Sequence, residues 1–273
     1  MNAAKITRAS KSNLALAFIS LGRERRRDIT TFYAFCRVID DIADDVDLAV
    51  EEKQRRLNEW RQVLIQPRPN ESPFAVEIRR LMQKYPITPA MLEEIIAGVE
   101  MDLHVKRYQN FDELRVYCYR VASAVGLVSI EIFGYRNPAT KEYAIQLGLA
   151  LQMTNIIRDV GRDIEAGRIY LPQEDLARFN YREQELRDRQ YNERFIELME
   201  FEAGRARGFF ARAKEILPPE DRKSMVAAEI MASIYRTLLH QMELDRFRVF
   251  EKVYRLSKLQ KTSRVVAQWF KVI

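Results

Sequence analysis

At 273 residues and 47% apolar content, the chain can bury a sizeable core, and nine glycines with nine prolines are too few breakers for a β-sandwich or a doubly wound sheet. The formal charge of +6 attracts anions, yet no helix-turn-helix signature, zinc-finger spacing or aromatic RNA-binding motif accompanies it, so nucleic acid is not an expected partner. No uninterrupted apolar run of about eighteen residues and no apolar N-terminal block occurs, and a cytoplasmic location is expected.

Abundant Ala, Leu, Glu, Arg and Ile predict long helices throughout one all-α domain spanning 1–273, with no internal repeat or low-complexity linker. A short helix is expected from about Ser12 to Leu21, stopped by Gly22, and a long one from about Arg25 to Asp47. Helices follow at about Val50 to Leu64 and Phe74 to Lys84, separated by the Pro-rich stretch Gln66–Pro73. The next, Pro89 to Arg107, opens with Thr88 as cap and Pro89 in the first turn. Phe111 to Phe133 ends at Gly134 and Pro138, and Thr140 to about Arg162 comes after it. Gly167 to Pro172 must be non-helical, and helical periodicity resumes at about Tyr181 to Ile216, Pro218 to Lys252 and Ser257 to Val272.

Two of these helices carry acid strips: Asp40-Asp41-Ile42-Ala43-Asp44-Asp45, and Asn155 through Asp163. Each repeats a carboxylate at i and i+4, which a helix places on one face. Like charges so close raise one another's pKa unless a cation lies between them. Mg2+, with Mn2+ as a substitute, is the cation expected, and two facing strips would hold several ions and through them a diphosphate. Seen alone an acid cluster is usually a solvated face, but the aromatic and apolar residues flanking Asp40 put this one at the edge of a buried surface.

Arg37, one turn before Asp40 and Asp41, can pair with them or bind a phosphate oxygen pair with its planar guanidinium. In the second strip Gln152, Asn155, Asp159 and Asp163 step along one face, an oxygen-rich row suited to a hard metal and a diphosphate, with Arg158 adjacent and Arg162 and Arg168 following. Tyr117, Val121 and Val125 form a row with Gly126 beside them; such a row is ordinary core unless it lines a cavity. Cys36 and Cys118 lack metal-ligand spacing and read as buried free thiols. Two basic groups, Arg23 with Arg25, Arg26 and Arg27, and the eight Lys/Arg from Arg246 onward facing the single acid Glu251, read as solvated faces, a phosphate-gathering rim or a patch resting on anionic lipid.

Phe32 to Asp44 and Leu151 to Asp163, continuing to Gly167-Arg168-Ile169-Tyr170-Leu171-Pro172, resemble the two signatures of the squalene/phytoene synthases, and Tyr117 to Gly126 resembles the motif between them. The resemblance runs from Ser10 to Lys258 and implies an isoprenoid synthase helical fold around a central cavity, joining two prenyl diphosphates head to head with release of diphosphate. It assigns Asp40, Asp44, Asp159 and Asp163, with Asn155, to metal; Arg37, Gln152, Asn155 and Arg158 to the diphosphate; Tyr117 to the proton-loss step; and Phe18, Tyr33, Val121, Val125 and Tyr235 to the pocket wall. At Ser10, Asn13 and Leu14 the chain departs from the aromatic and histidine of many relatives, which puts the pocket mouth in doubt.

Gly98 to Leu103 and Arg120 to Gly126 look most like bacterial presqualene diphosphate synthases of hopanoid pathways, making two farnesyl diphosphates the expected substrates. Phytoene synthase acting on two geranylgeranyl diphosphates and dehydrosqualene synthase are the alternatives within the family, and a non-catalytic assembly protein the alternative outside enzymology. NADPH is not expected to be required. Peripheral contact with the inner face of a membrane through the basic C-terminal segment, and enzymes acting next on the product, complete the expected partners.

Overall fold

The computed structural model describes residues 17–68, 71–257 and 259–264, and every regular element among them is helical. After a 3-10 turn at Phe18–Ser20 come α1 (Arg23–Asp44), α2 (Val50–Ile65), α3 (Pro73–Lys84) and α4 (Pro89–His104). Next are α5 (Phe111–Phe133), α6 (Ala139–Glu165), α7 (Gln173–Arg178), α8 (Glu183–Arg187), α9 (Glu193–Ile216) and α10 (Val226–Leu244). Most of the first expected helix, with Ser10, Asn13 and Leu14, lies outside the described residues, as does the end of the last.

The helices begin where local chemistry supplies a partner for the first free amides. Ser72 accepts from Ala75 N at 3.1 Å and Thr88 from Met91 N at 3.4 Å, each before a first-turn proline. Asn110 and Asn192 cap α5 and α9 in the same way, at 3.0 Å each. In α1 the buried residues Ile29, Phe32, Phe35, Ile39 and Ala43 recur every three or four positions, so one stripe faces the core. Phe35 meets Trp60 of α2 edge-on at 5.4 Å, and Trp60 meets Phe74 of α3 at 5.9 Å.

α6 is the central helix, buried from Thr140 to Gly161 along most of its length, with α9 packed beside it. α5 is long and apolar enough to cross a membrane by length and composition, but half of that stretch is buried inside the fold. It contains a π-helical turn at Tyr119–Ser123, wedged between α4 and α6. A Cβ on Gly98 of α4 would lie 2.6 Å from Arg120 Cβ, and one on Gly148 of α6 would lie 2.5 Å from Ser123 Cα. At Gly126, expected to permit close approach, a Cβ would lie 3.0 Å from the Ala144 carbonyl oxygen.

Several boundaries differ from expectation, among them the end of α1 at Asp44 rather than Asp47 and the unexpected short helix α7. α4 ends at His104 rather than Arg107, because the 106–109 segment pairs with the extended stretch after α6: Ile169 N bonds Lys106 O at 3.3 Å and Gln173 N bonds Tyr108 O at 2.9 Å. Gly167, at φ +76°, makes the turn into that stretch, a conformation natural to glycine. The periodic segment at Tyr181 to Ile216 is two helices, with Arg189 left-handed between them. The one expected from Pro218 to Lys252 contains a 3-10 turn at Pro219–Asp221 and then α10, which stops at Leu244, before left-handed Arg246 and Phe247.

Candidate functional site

Both acid strips, the α5 row and the α4 face meet around a cavity of about 510 Å3. Asp40 and Asp44 enter from α1, Asp159 and Asp163 from α6, and Asp102 from α4; Arg37, Arg158 and Arg168 lie among them. Five carboxylates therefore face three guanidiniums in one partly enclosed space, an arrangement that asks for added positive charge. Gln152 and Asn155 line the same wall, while Phe18, Tyr33, Tyr117, Val121 and Val125 supply apolar and aromatic surface.

The π turn explains why the α5 row stays in register. An ordinary helix drifts off a strict four-residue repeat, whereas a π turn takes up the extra residue. Tyr117, Val121 and Val125 all face the cavity. Val125 and Ser129 also line a neighbouring apolar chamber of about 190 Å3, whose walls include Ile130, Phe133, Leu147 and Met231. Phe18, Val121, Val125, Gln152 and Asn155 border both spaces, and Tyr235 lines the chamber. Tyr33 packs edge-on against Phe18 at 6.4 Å.

The arginines are engaged with the acids. Arg37 bridges Asp40 at 2.7 Å and Asp41 at 2.8 Å, so its pairing reading holds in this state. Arg158 binds Asp159 through Nε at 3.0 Å and Nη2 at 2.5 Å. Arg168 stands 3.6 Å from Asp44. Even so, burial and the neighbouring Asp44 push Asp40 up to about 6. Burial and Asp159 push Asp163 up to about 7. The Oδ1 of Asn155 is buried without a hydrogen-bond partner, a free carbonyl-type acceptor beside the second strip.

An all-oxygen donor set, two carboxylates held unfavourably protonatable and one orphaned amide oxygen fit a hard divalent cation. Among the described residues no three acids already stand close enough to enclose one.

Sequence reasoning passed over Asp102 and gave Tyr170 no role of its own. Asp102 accepts from Tyr170 Oη at 2.7 Å and from Tyr117 Oη at 3.1 Å. A signal existed: Ile95, Val99 and Asp102 share a helix face at spacings of four and three, and all line the cavity. A lone acid ending an apolar stripe marks a cavity wall rather than plain core. Cys36 also lines the cavity and is half-buried, while Cys118 is fully buried as expected. Two of the four N-terminal arginines are structural. Arg25 bonds the Phe133 carbonyl, and Arg26 bonds those of Phe18 at 3.0 Å and Leu21 at 2.9 Å.

A helical enclosure with facing acid strips at its polar end and an apolar chamber at the other defines a class of proteins that take ligands with an anionic head and a hydrocarbon tail. The model of the squalene/phytoene synthase family matches residues 7–262, and the chain belongs to that family. A phytoene synthase of Arthrospira platensis is 37% identical over 247 residues, covering 84% of this chain and 78% of that one. A phytoene synthase of Mycobacterium tuberculosis is 35% identical over 266 residues, covering 96% and 87%. Among solved structures, a dehydrosqualene synthase in complex with ligand superposes with a TM-score of 0.86 at 26% identity, covering 99% of this chain and 95% of that chain. A squalene synthase of Alicyclobacillus acidocaldarius shares the fold, with a TM-score of 0.77 at 21% identity and coverage of 90% and 93%.

Proposed function

We propose that this protein condenses two prenyl diphosphates head to head, releasing diphosphate, with geranylgeranyl diphosphate as substrate and phytoene as product. The observation that carries the reaction class is the polar cavity of five aspartates and three arginines sharing a wall with an apolar chamber. The motif likeness at Gly98 to Leu103 favoured two farnesyl diphosphates and a presqualene product. Relatives at 31–37% identity that are named phytoene synthases move the preference to the C20 substrate.

Asp40, Asp44, Asp159, Asp163 and the Asn155 carbonyl would hold Mg2+. When bound, the cation neutralises the departing diphosphate and lowers the barrier to ionising the allylic C–O bond. Arg37 and Arg158 are placed to exchange carboxylate for phosphate oxygens, since a guanidinium binds either as a fork. Gln152 adds an amide donor. Phe18, Tyr33, Val121 and Val125 keep water from the cationic carbon, and the chamber ending at Phe133 takes a tail. Tyr117 stands at the wall where a proton would leave as the three-membered ring closes.

The test is incubation of purified protein and Mg2+ with C15 and C20 diphosphates separately, each with and without NADPH, followed by mass identification of products. Phytoene from the C20 substrate, independent of NADPH, is the expected result. A C30 product from the C15 substrate with the C20 substrate unused would return the reading to presqualene or dehydrosqualene chemistry. Absence of turnover with both would favour a non-catalytic family member.

A further inference from the structure

Behind Tyr117 lies a compact group that the metal and diphosphate assignments leave unused. Tyr117 and Tyr170 stack at 5.0 Å with 23° between their planes, and Tyr108 packs on both, at 5.7 and 6.1 Å. All three are at least nine-tenths buried. Among the described residues their one acidic hydrogen-bond partner is Asp102, which takes Tyr170 on Oδ1 at 2.7 Å and Tyr117 on Oδ2 at 3.1 Å. The two hydroxyls also lie 3.3 Å apart.

A phenol has a single hydrogen to give. Tyr170 commits its hydrogen to Asp102 by the shorter bond, so Tyr117 directs its own to the other carboxylate oxygen and turns its lone pairs toward the cavity. The Tyr117 oxygen is thus arranged as an acceptor for whatever occupies that space. Burial pushes the Tyr117 phenol well above its ordinary value, with Asp102 adding to the effect. Near neutral pH it is therefore a phenol and not a phenolate. A neutral phenol can accept a second proton only as it surrenders the first, and the group in line to receive that proton is the Asp102 carboxylate.

We infer that Asp102 is the terminal proton acceptor of the coupling step, acting through Tyr117 as a positioning residue. The assignment rests on the head-to-head reading. As the electron pair of the breaking C–H bond closes the cyclopropyl ring, the Tyr117 oxygen takes the proton and its own hydroxyl proton passes to Asp102 Oδ2. The products are a neutral ring, a neutral phenol and a carboxylic acid, and no further reactant is needed. Tyr170 fixes the carboxylate plane through Oδ1. Burial raises the Asp102 carboxyl above its ordinary value, which suits it to take up a proton, while the hydrogen bond from Tyr170 and the positive charge of Arg168 pull the other way.

The variant Asp102→Asn keeps the shape and one of the two acceptor oxygens but cannot take the proton. It is assayed for two quantities at once, diphosphate released and coupled hydrocarbon formed. Expected is a fall in kcat for coupled product of about a hundredfold, the low end for a general base, with KM within about threefold of wild type. Diphosphate release should continue, its carbon appearing as prenyl alcohol or linear alkene. Equal falls in diphosphate release and product would place Asp102 in ionisation and overturn the assignment, as would unchanged coupling. Tyr170→Phe, which leaves the carboxylate and removes its second donor, should shift the same product split in the same direction by a few-fold; an unchanged split counts against the proposal even where Asp102→Asn fails to fold. A wild-type protein that releases no diphosphate from either substrate overturns the head-to-head reading itself, an outcome distinct from any change in product split.

Discussion

Asp40 and Asp163 carry the electrostatic tension of the site. Each is raised from the ordinary carboxylate value, to about 6 and about 7, first by burial and then by the acid one helical turn away. A carboxyl whose folded pKa exceeds its unfolded one costs stability increasingly as pH rises from about 3.8 to the folded value. Asp40→Asn is therefore expected to raise Tm by a few degrees in metal-free buffer at pH 7.5 and to leave it unchanged near pH 4, while turnover falls at least about 1000-fold. Circular-dichroism melts at the two pH values and a product assay check this. Added Mg2+ should raise the Tm of the wild type by ligand linkage, and do so far less in Asp40→Asn or Asp159→Asn. A wild-type melt insensitive to millimolar Mg2+ would argue against the metal assignment. The basic residues next to the C-terminus are less demanding. Arg246, Arg248 and Lys252 pair with Glu193, Glu251 and Asp245 at 2.5 to 2.8 Å, so that part of the segment reads as a paired surface.

At the scale of elements, α5 decides the cavity. Its π turn holds Tyr117, Val121 and Val125 on one wall, and its fit depends on the missing side chains of Gly98 and Gly148. Gly148→Ala would drive a Cβ against Ser123 backbone, where no flexible side chain can yield. A loss of about 1–3 kcal/mol is expected from such overpacking, read as a lower urea midpoint with unchanged m-value. Ser129 stands where the polar cavity becomes the chamber and bonds its own helix at Val125 O at 2.7 Å. Ser129→Leu should narrow that passage. If C20 tails use the chamber, kcat/KM for the C20 substrate should fall about tenfold or more while a C15 substrate is retained or improved. Equal effects on both lengths would show that tails do not pass Ser129.

For the whole molecule, the junction of α7 with α9 is a second place where buried charge is concentrated. Asp175 and Glu202, at 2% and 0% exposure, share Arg205, which bonds them at 2.6 and 2.9 Å and lies over the Phe111 ring. Two carboxylates on one guanidinium leave one charge uncompensated, and burial pushes the Glu202 carboxyl above its ordinary value. With the folded value above the unfolded 4.5, stability is lost as pH rises past the unfolded value. Glu202→Gln, which keeps the shape of the protonated acid, should match wild type below about pH 4 and gain a Tm advantage of about 5 °C as pH rises toward 8. A gap that is flat across this range would mean that Glu202 is ionised in the fold at all these pH values.

The acid strips and the Tyr117 row were legible in the sequence because each depends on spacing within one helix, and the helix repeat alone puts Asp40 with Asp44 and Asp159 with Asp163 on common faces. The Thr88-Pro89 start and the Gly167 turn were legible for the same local reason. The break after Arg187 was not, since helical periodicity continues through it and only left-handed Arg189 and the Asn192 cap divide it. Asp102 was equally hidden: its partners Tyr117 and Tyr170 are 15 and 68 residues away, and they meet because the extended stretch after Gly167 pairs with residues 106–109. The sequence by itself therefore determined the helical class, the family and the two strips. Only the tertiary structure decided that the strips face one cavity, that this cavity shares a wall with an apolar chamber, and that a half-buried carboxylate stands beside the tyrosine, because each requires helices distant in sequence to pack at distances that no single-helix repeat encodes.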